Sequence, residues 1–169
     1  ARTFLVRQAQ LTHFEDSLLE VKDINDTSVK PGRFPWNFYA WGNNPSQHPS
    51  DYARSDFIST NWPTQGITAE VWVWNSSDQA HDQIEGVGAT ELLYITTSAV
   101  TMPNVGGDET FAWFNQGVFV EDSIIGISRV RNVVLRVENV RAEGWDKDRM
   151  ALQVTELLKR MVDRVAAYG

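Results

Sequence analysis

Two carboxylates follow two glycines at Gly106-Gly107-Asp108-Glu109, and this is the point in the chain where chemistry is easiest to place. A glycine-rich turn can aim carboxylates or backbone amides at a ligand, or simply reverse the chain ahead of a strand. Glycoside hydrolysis needs two carboxylates about 5–10 Å apart across a sugar, and Asp108, Glu109, Glu121 and Asp122 are the candidates for such a pair. The three histidines, His13, His48 and His81, are far apart and match no metal-ligand spacing. His81 and Asp82 are adjacent on an expected helix and diverge by about 100°, so they do not converge on one ion; His81 reads as a surface side chain. The sequence holds no nucleophile elbow, phosphate-binding loop or dinucleotide fingerprint. No residue is assigned a catalytic or metal-binding role, and no cofactor is implied.

Seven tryptophans form the other chemical signal. Trp72 and Trp74 share one face of an expected strand, and with Trp113 they could line a platform for a sugar or lipid. The same rings serve equally well as the core beneath a capping helix. The candidate ligand-binding set is therefore Trp72, Trp74, Trp113, Asp108 and Glu109.

Composition narrows the field. Hydrophobic residues at 42 % and charged residues at 22 % are ordinary for a globular chain of 169 residues. The net charge of −7 argues against a nucleic-acid or anionic-membrane partner, since phosphates would be repelled. A basic stripe of Arg129, Arg131, Arg136 and Arg141 would not point one way on a strand. With no cysteine, disulfides and thiolate chemistry are excluded. No apolar run reaches the ~20 residues that span a bilayer. The chain opens at Ala1, which suggests a processed or excised product. The acceptor pattern at Asn25 and Asn75 matters only in a eukaryotic secretory route.

The elements that must position these residues are legible in part. Phe4–Leu11 reads as a weak helix and Leu19–Ile24 as a strand. Residues 31–66 form a proline- and aromatic-rich excursion with one or two edge strands, whose rings argue against disorder. Ile67–Trp74 is a strand, with Val71 and Val73 on one side and Glu70, Trp72 and Trp74 on the other. Ser76 with Gln79 caps a following helix that carries Ala80, Ile84 and Val87. Thr90–Ile95 could prolong it, and Thr96–Met102 could be extended. Phe111–Val120 begins the last block of strands, and Ile124–Ile127 is short. Ser128–Val140 reads as one strand with Val133, Leu135 and Val137 buried and Arg136 and Glu138 on a mostly wet face. Asp146 caps a helix to Ala167 whose stripe is Met150, Val154, Leu157, Leu158, Met161 and Val165. Glu156 and Arg160 are spaced for an ion pair. These elements predict an α+β fold: an antiparallel β-sheet flanked by helices, with the long C-terminal helix packed on the sheet. No repeat or linker divides the chain, so residues 1–169 are expected to form a single domain.

The order of strand, Ser76–Ala80 helix start, Pro103–Glu109 turn, Arg129–Leu135 strand and closing helix to Val165 resembles a known group. It is similar to exported domains of bacterial lipoproteins and secreted proteins, and to the extracellular sensor domain of a mycobacterial serine/threonine kinase. The resemblance covers about residues 67–167 and carries no functional residues across. It implies a non-enzymatic ligand-binding or sensor-like domain in the cell envelope, extracytoplasmic, with a small molecule, glycan or protein as partner. The best-known sensor domain is disulfide-linked, whereas this chain has no cysteine. Two other functions fit the residues: an accessory subunit whose contact surface is the 31–66 excursion, and a carboxylate-based glycan hydrolase.

Overall fold

The computed structural model describes residues 14–33, 48–62, 64–91, 97–116, 121–142 and 144–168. The expected helix at Phe4–Leu11, residues 34–47 of the 31–66 excursion with Trp36 and Trp41, and the stretches 92–96 and 117–120 lie outside the described residues. Among the described residues, seven strands form one antiparallel sheet. In chain order they are β1 (Val29–Gly32), β2 (Asp51–Ser59), β3 (Gly66–Val73), β4 (Thr97–Ala99), β5 (Glu109–Asn115), β6 (Glu121–Val130) and β7 (Val133–Ala142). Across the sheet the order is β1-β2-β3-β7-β6-β5-β4. Two helices flank it, α1 (Ser77–Glu91) and α2 (Lys147–Ala167). The α+β architecture predicted from the sequence is the one observed.

Helix α2 forms where its pattern demands. The Asp146 carboxylate accepts a hydrogen bond from the Arg149 amide at 3.1 Å, occupying one of the donors a helix start leaves open. Met150, Val154, Leu157, Leu158, Met161, Val162 and Val165 are buried against Ile67, Ala69, Val71, Ile124, Val133, Leu135 and Val137 of the sheet. Each such side chain contributes about 1.5–3 kcal/mol by leaving water. The helix lies close because β6 offers no side chain at Gly126, where an added Cβ would sit 2.7 Å from Val154. Arg160 does not pair with Glu156 as its spacing suggests. It donates to the Asp23 carbonyl at 2.6 Å, while Arg164 holds the Leu18 carbonyl at 2.6 Å and the Asp23 carboxylate at 2.7 Å. These bonds fix the segment before β1 to α2. That segment is two short 3-10 helices, Phe14–Ser17 and Val21–Asp23, and not the expected strand. The Glu20 amide donates to Asp23 at 2.7 Å, closing the turn locally.

Two further expectations are corrected. Ser128–Val140 is not one strand: β6 ends at Val130 and β7 begins at Val133, joined by Arg131-Asn132. Arg131 takes φ +55°, and its amide donates to Asp108 at 2.7 Å. An arginine gives no composition cue for such a turn, so the run read as continuous. Nor is the second face of β7 wet. Val134, Arg136 and Glu138 are buried there, because β7 is the central strand and both of its faces are covered. The excursion holds a non-edge strand, β2, which pairs with both β3 and the edge strand β1, and β1 itself begins at Val29, ahead of the excursion.

Candidate functional site

Alternation along each strand sends half of its side chains to the face opposite α2. The register there places three cross-strand rows. Tyr52, Trp72, Val134, Arg129 and Glu109 make the first; Arg54, Glu70, Arg136, Ile127 and Phe111 the second; Asp56, Thr68, Glu138, Ile125 and Trp113 the third. The face thus carries an ionic cluster of Arg54, Asp56, Glu70, Arg136 and Glu138 on β2, β3 and β7, and an aromatic-aliphatic cluster that runs from Trp72 and Val134 across Ile125 and Ile127 to Trp113.

The ionic cluster was not foreseen. Arg136, only 2 % exposed, donates to Glu70 at 2.9 Å and to Glu138 at 2.7 Å. Tyr52 donates its hydroxyl to Glu70 at 2.8 Å, and Arg54 holds Asp56 at 2.7 Å. Burial first, and then the facing Glu70 charge, push the Tyr52 hydroxyl well above the ordinary phenol range, so it stays protonated as a donor. The signal in the sequence was the i,i+2 pairs Arg54/Asp56 and Arg136/Glu138 inside strand-like runs. It reads as a solvated face until the second cover is known.

The aromatic cluster contains Trp72, Trp74 and Trp113, all buried, with Ile125, Ile127, Val134 and the α1 residues Ala80 and Ile84. Helix α1 begins as expected, the Gln79 amide donating to the Ser76 hydroxyl at 3.1 Å, and it lies over these rings. At the β5 end the cluster opens: Phe111 is 42 % exposed and stacks on Trp113 at 6.4 Å and 11°.

Glu109 and Asp108 border this open end and share one arginine. Arg129 reaches Glu109 Oε1 through Nη2 at 2.6 Å and Asp108 Oδ2 through Nη1 at 3.3 Å. His81, from α1, lies 2.8 Å from the same Glu109 oxygen through Nδ1. Burial raises the Glu109 pKa, but hydrogen bonds from Arg129 and His81 outweigh it and hold the carboxyl below the usual range. An ionised carboxylate only accepts, so His81 Nδ1 is the donor. Glu109 is suited to anchoring and not to donating a proton. Its Oε2 is buried and has no hydrogen-bond partner among the described residues.

Of the five candidate residues, four stand on or beside this face: Trp72, Trp74, Trp113 and Glu109. Asp108 joins them through Arg129 from the turn before β5. Trp72 and Glu109 belong to the same row, roughly 14 Å apart at about 4.8 Å per strand. Among the described residues no group of three or more His, Asp or Glu is placed to hold a metal ion. Among the described residues no helix is long and apolar enough to cross a membrane.

No family model matches the chain, and no curated protein matches it. Among solved structures, the extracellular domain of PknH from Mycobacterium tuberculosis superposes with a TM-score of 0.57 at 16 % identity, covering 90 % of this chain and 94 % of that one. The expected likeness to a mycobacterial kinase's extracellular domain is therefore present, and at this identity it is a likeness of fold. A structure from Bacteroides thetaiotaomicron VPI-5482 reaches a TM-score of 0.38 at 15 % identity over 64 % of this chain and 41 % of that one.

Proposed function

We propose that the chain is a non-enzymatic, extracytoplasmic ligand-binding or sensor-like domain of a bacterial cell envelope. The fold shared with a domain described as extracellular supports the location. The observation that carries the binding role is the make-up of the sheet face opposite α2. Five ionisable side chains, Arg54, Asp56, Glu70, Arg136 and Glu138, lie with Tyr52 in rows where a core built for stability would hold valine and isoleucine. Replacing buried ion pairs by well-packed hydrophobes is often neutral or stabilising, so this arrangement serves specificity. Beside it, Trp72, Trp74 and Trp113 form an aromatic floor beneath α1, and Asp108 and Glu109 border its open end. Phe111 stacked on Trp113 offers a ring face, and the half-exposed Asp108 carboxylate offers an acceptor. This pairing suits a small molecule or glycan presenting both a flat apolar face and an N–H or O–H donor.

Tryptophan fluorescence against a panel of glycans, lipids and peptides tests the reading. A saturable response that Phe111→Ala and Asp108→Asn each weaken, with folding intact by circular dichroism, is expected. No response to any member, together with a size in solution that grows with concentration, would instead mark an assembly subunit.

A further inference from the structure

The two edges of the sheet are built differently. On β1 the Ser28 carbonyl accepts from the Thr60 amide at 2.9 Å. Ser28, Lys30 and Gly32 therefore turn their main-chain groups to β2, and Val29 and Pro31 turn theirs outward. Neither offers a donor there. The Val29 amide points back to the Asp26 carbonyl at 3.4 Å, and Pro31 has no N–H. With exposed Lys30 between them, this edge carries the features that stop strand-to-strand association.

Strand β4 carries no proline and no charge. The Val100 amide donates to the Ala112 carbonyl at 2.9 Å, in register with Ser98 opposite Phe114 and Ala99 opposite Trp113. Alternation turns Ser98 and Val100 to β5 and leaves the N–H and C=O of Thr97 and Ala99 pointing away from the sheet. Ser98 and Ala99 are exposed, and among the described residues no strand lies beyond β4. Past Ala99 the chain leaves the line of the strand, Val100 and Met102 packing on the α2-side core. The occupant that matches such an edge is an extended backbone, whose alternate residues present donor and acceptor together. A second copy would bring a further net charge of −7 against the first, whereas a basic peptide is drawn in by the same field.

We propose that the outer edge of β4 is a docking site for an extended, positively charged peptide, which joins the sheet as a further strand through Thr97 and Ala99. Two outward residues, each with one donor and one acceptor, give a short main-chain contact, so charge supplies much of the hold and salt weakens it. The surface is made of main chain and stands apart from any organic ligand at Phe111 and Trp113.

Amide hydrogen exchange resolved by NMR tests it, with an acetylated, amidated peptide of alternating lysine and valine as the probe. In the free protein the Ser98 and Val100 amides should exchange slowly and the Ala99 amide fast. Peptide should slow Ala99 at least tenfold, and added salt should reverse the gain. The glutamate–valine counterpart and the fully N-methylated peptide should each bind at least tenfold more weakly. Ala99→Pro removes an outward donor and leaves the bonds of Ser98 and Val100 to β5 in place; it should lower affinity for the lysine–valine peptide at least tenfold. Phe111→Ala should leave that affinity unchanged. The proposal is overturned by an Ala99 amide already slow in the free protein, by no slowing with peptide, by equal binding of the glutamate peptide, or by loss of binding in Phe111→Ala. Slowing that rises with protein concentration in the absence of peptide would overturn it in favour of a second copy. Should Ala99→Pro fail to fold, the exchange pattern and the peptide controls decide alone.

Discussion

Arg136 is the side chain on which the second face turns. Its guanidinium bonds Glu70 and Glu138 with almost no solvent, so removing it leaves two buried carboxylates without their shared cation, Glu70 keeping, among the described residues, only the Tyr52 hydroxyl and Arg54 4.0 Å away. Breaking such a network by deleting one partner costs about 3–5 kcal/mol, whereas exchanging the whole set for apolar residues of similar volume is neutral or stabilising. Arg136→Ala should therefore lower stability by about 3–5 kcal/mol in urea unfolding. The triple change Arg136→Met, Glu70→Leu, Glu138→Leu should be far milder. If the two variants lose the same stability, the ion network contributes through packing and not through charge. The contrast also separates stability from function. A triple variant that folds well but fails to respond in the ligand panel would place the charges in recognition.

At the level of elements, β6 and α2 form the closest contact. A Cβ on Gly126 would stand 2.7 Å from Val154 Cγ1, 3.0 Å from Met102 Cε and 3.3 Å from Leu158 Cδ2. In a site with room, replacing glycine by alanine gains about 0.4–1 kcal/mol through the unfolded chain. Here overpacking, at about 1–3 kcal/mol, wins. Gly126→Ala should thus be destabilising, and adding Val154→Ala should recover part of the loss; a double-mutant cycle in denaturant measures the coupling. Such contact was invisible in the sequence, where Gly126 is only an interruption between isoleucines. What was legible had a local cause. Helix α2 was read nearly to its ends because Asp146 caps it and its apolar stripe repeats at helical spacing, and β3 was read with both faces assigned. The turn at Arg131-Asn132 was missed because its φ is imposed by Asp108, 23 positions earlier. The 3-10 turns at Phe14–Asp23 were missed because they are held by Arg160 and Arg164 at the far end of the chain. The candidate site divides the same way. Its tryptophans and the Asp108-Glu109 turn announced themselves by type, while Arg54, Asp56, Glu70, Arg136 and Glu138 acquired meaning only from strand register.

Over the whole molecule, one sheet carries two cores. Consecutive residues of the same strands feed opposite sides: Val71 and Trp72 on β3, Ile124 and Ile125 on β6, Val134 and Leu135 on β7. The α2 side cannot lose its strands without exposing the tryptophans on the other, and the α1 side cannot lose its floor without stripping α2. We infer from this that residues 1–169 fold as a single domain with one cooperative transition. Trp72, Trp74 and Trp113 are buried on the α1 side and Trp145 packs against the α2-side core, so emission followed in a Trp62→Phe, Trp145→Phe background carries the α1-side signal. The far-ultraviolet dichroism of the 21-residue α2 reports on the other. The two signals should trace the same urea curve with one midpoint and one slope. Among its described side chains, α1 contributes Ala80 and Ile84 to the buried cluster, and whether it detaches on its own is what the two signals test. If the emission changes at lower urea than the dichroism, α1 opens as a separate unit, and the aromatic floor can be uncovered without unfolding the sheet. Coincident curves mean that the rings are reached only past Phe111, from the β5 end.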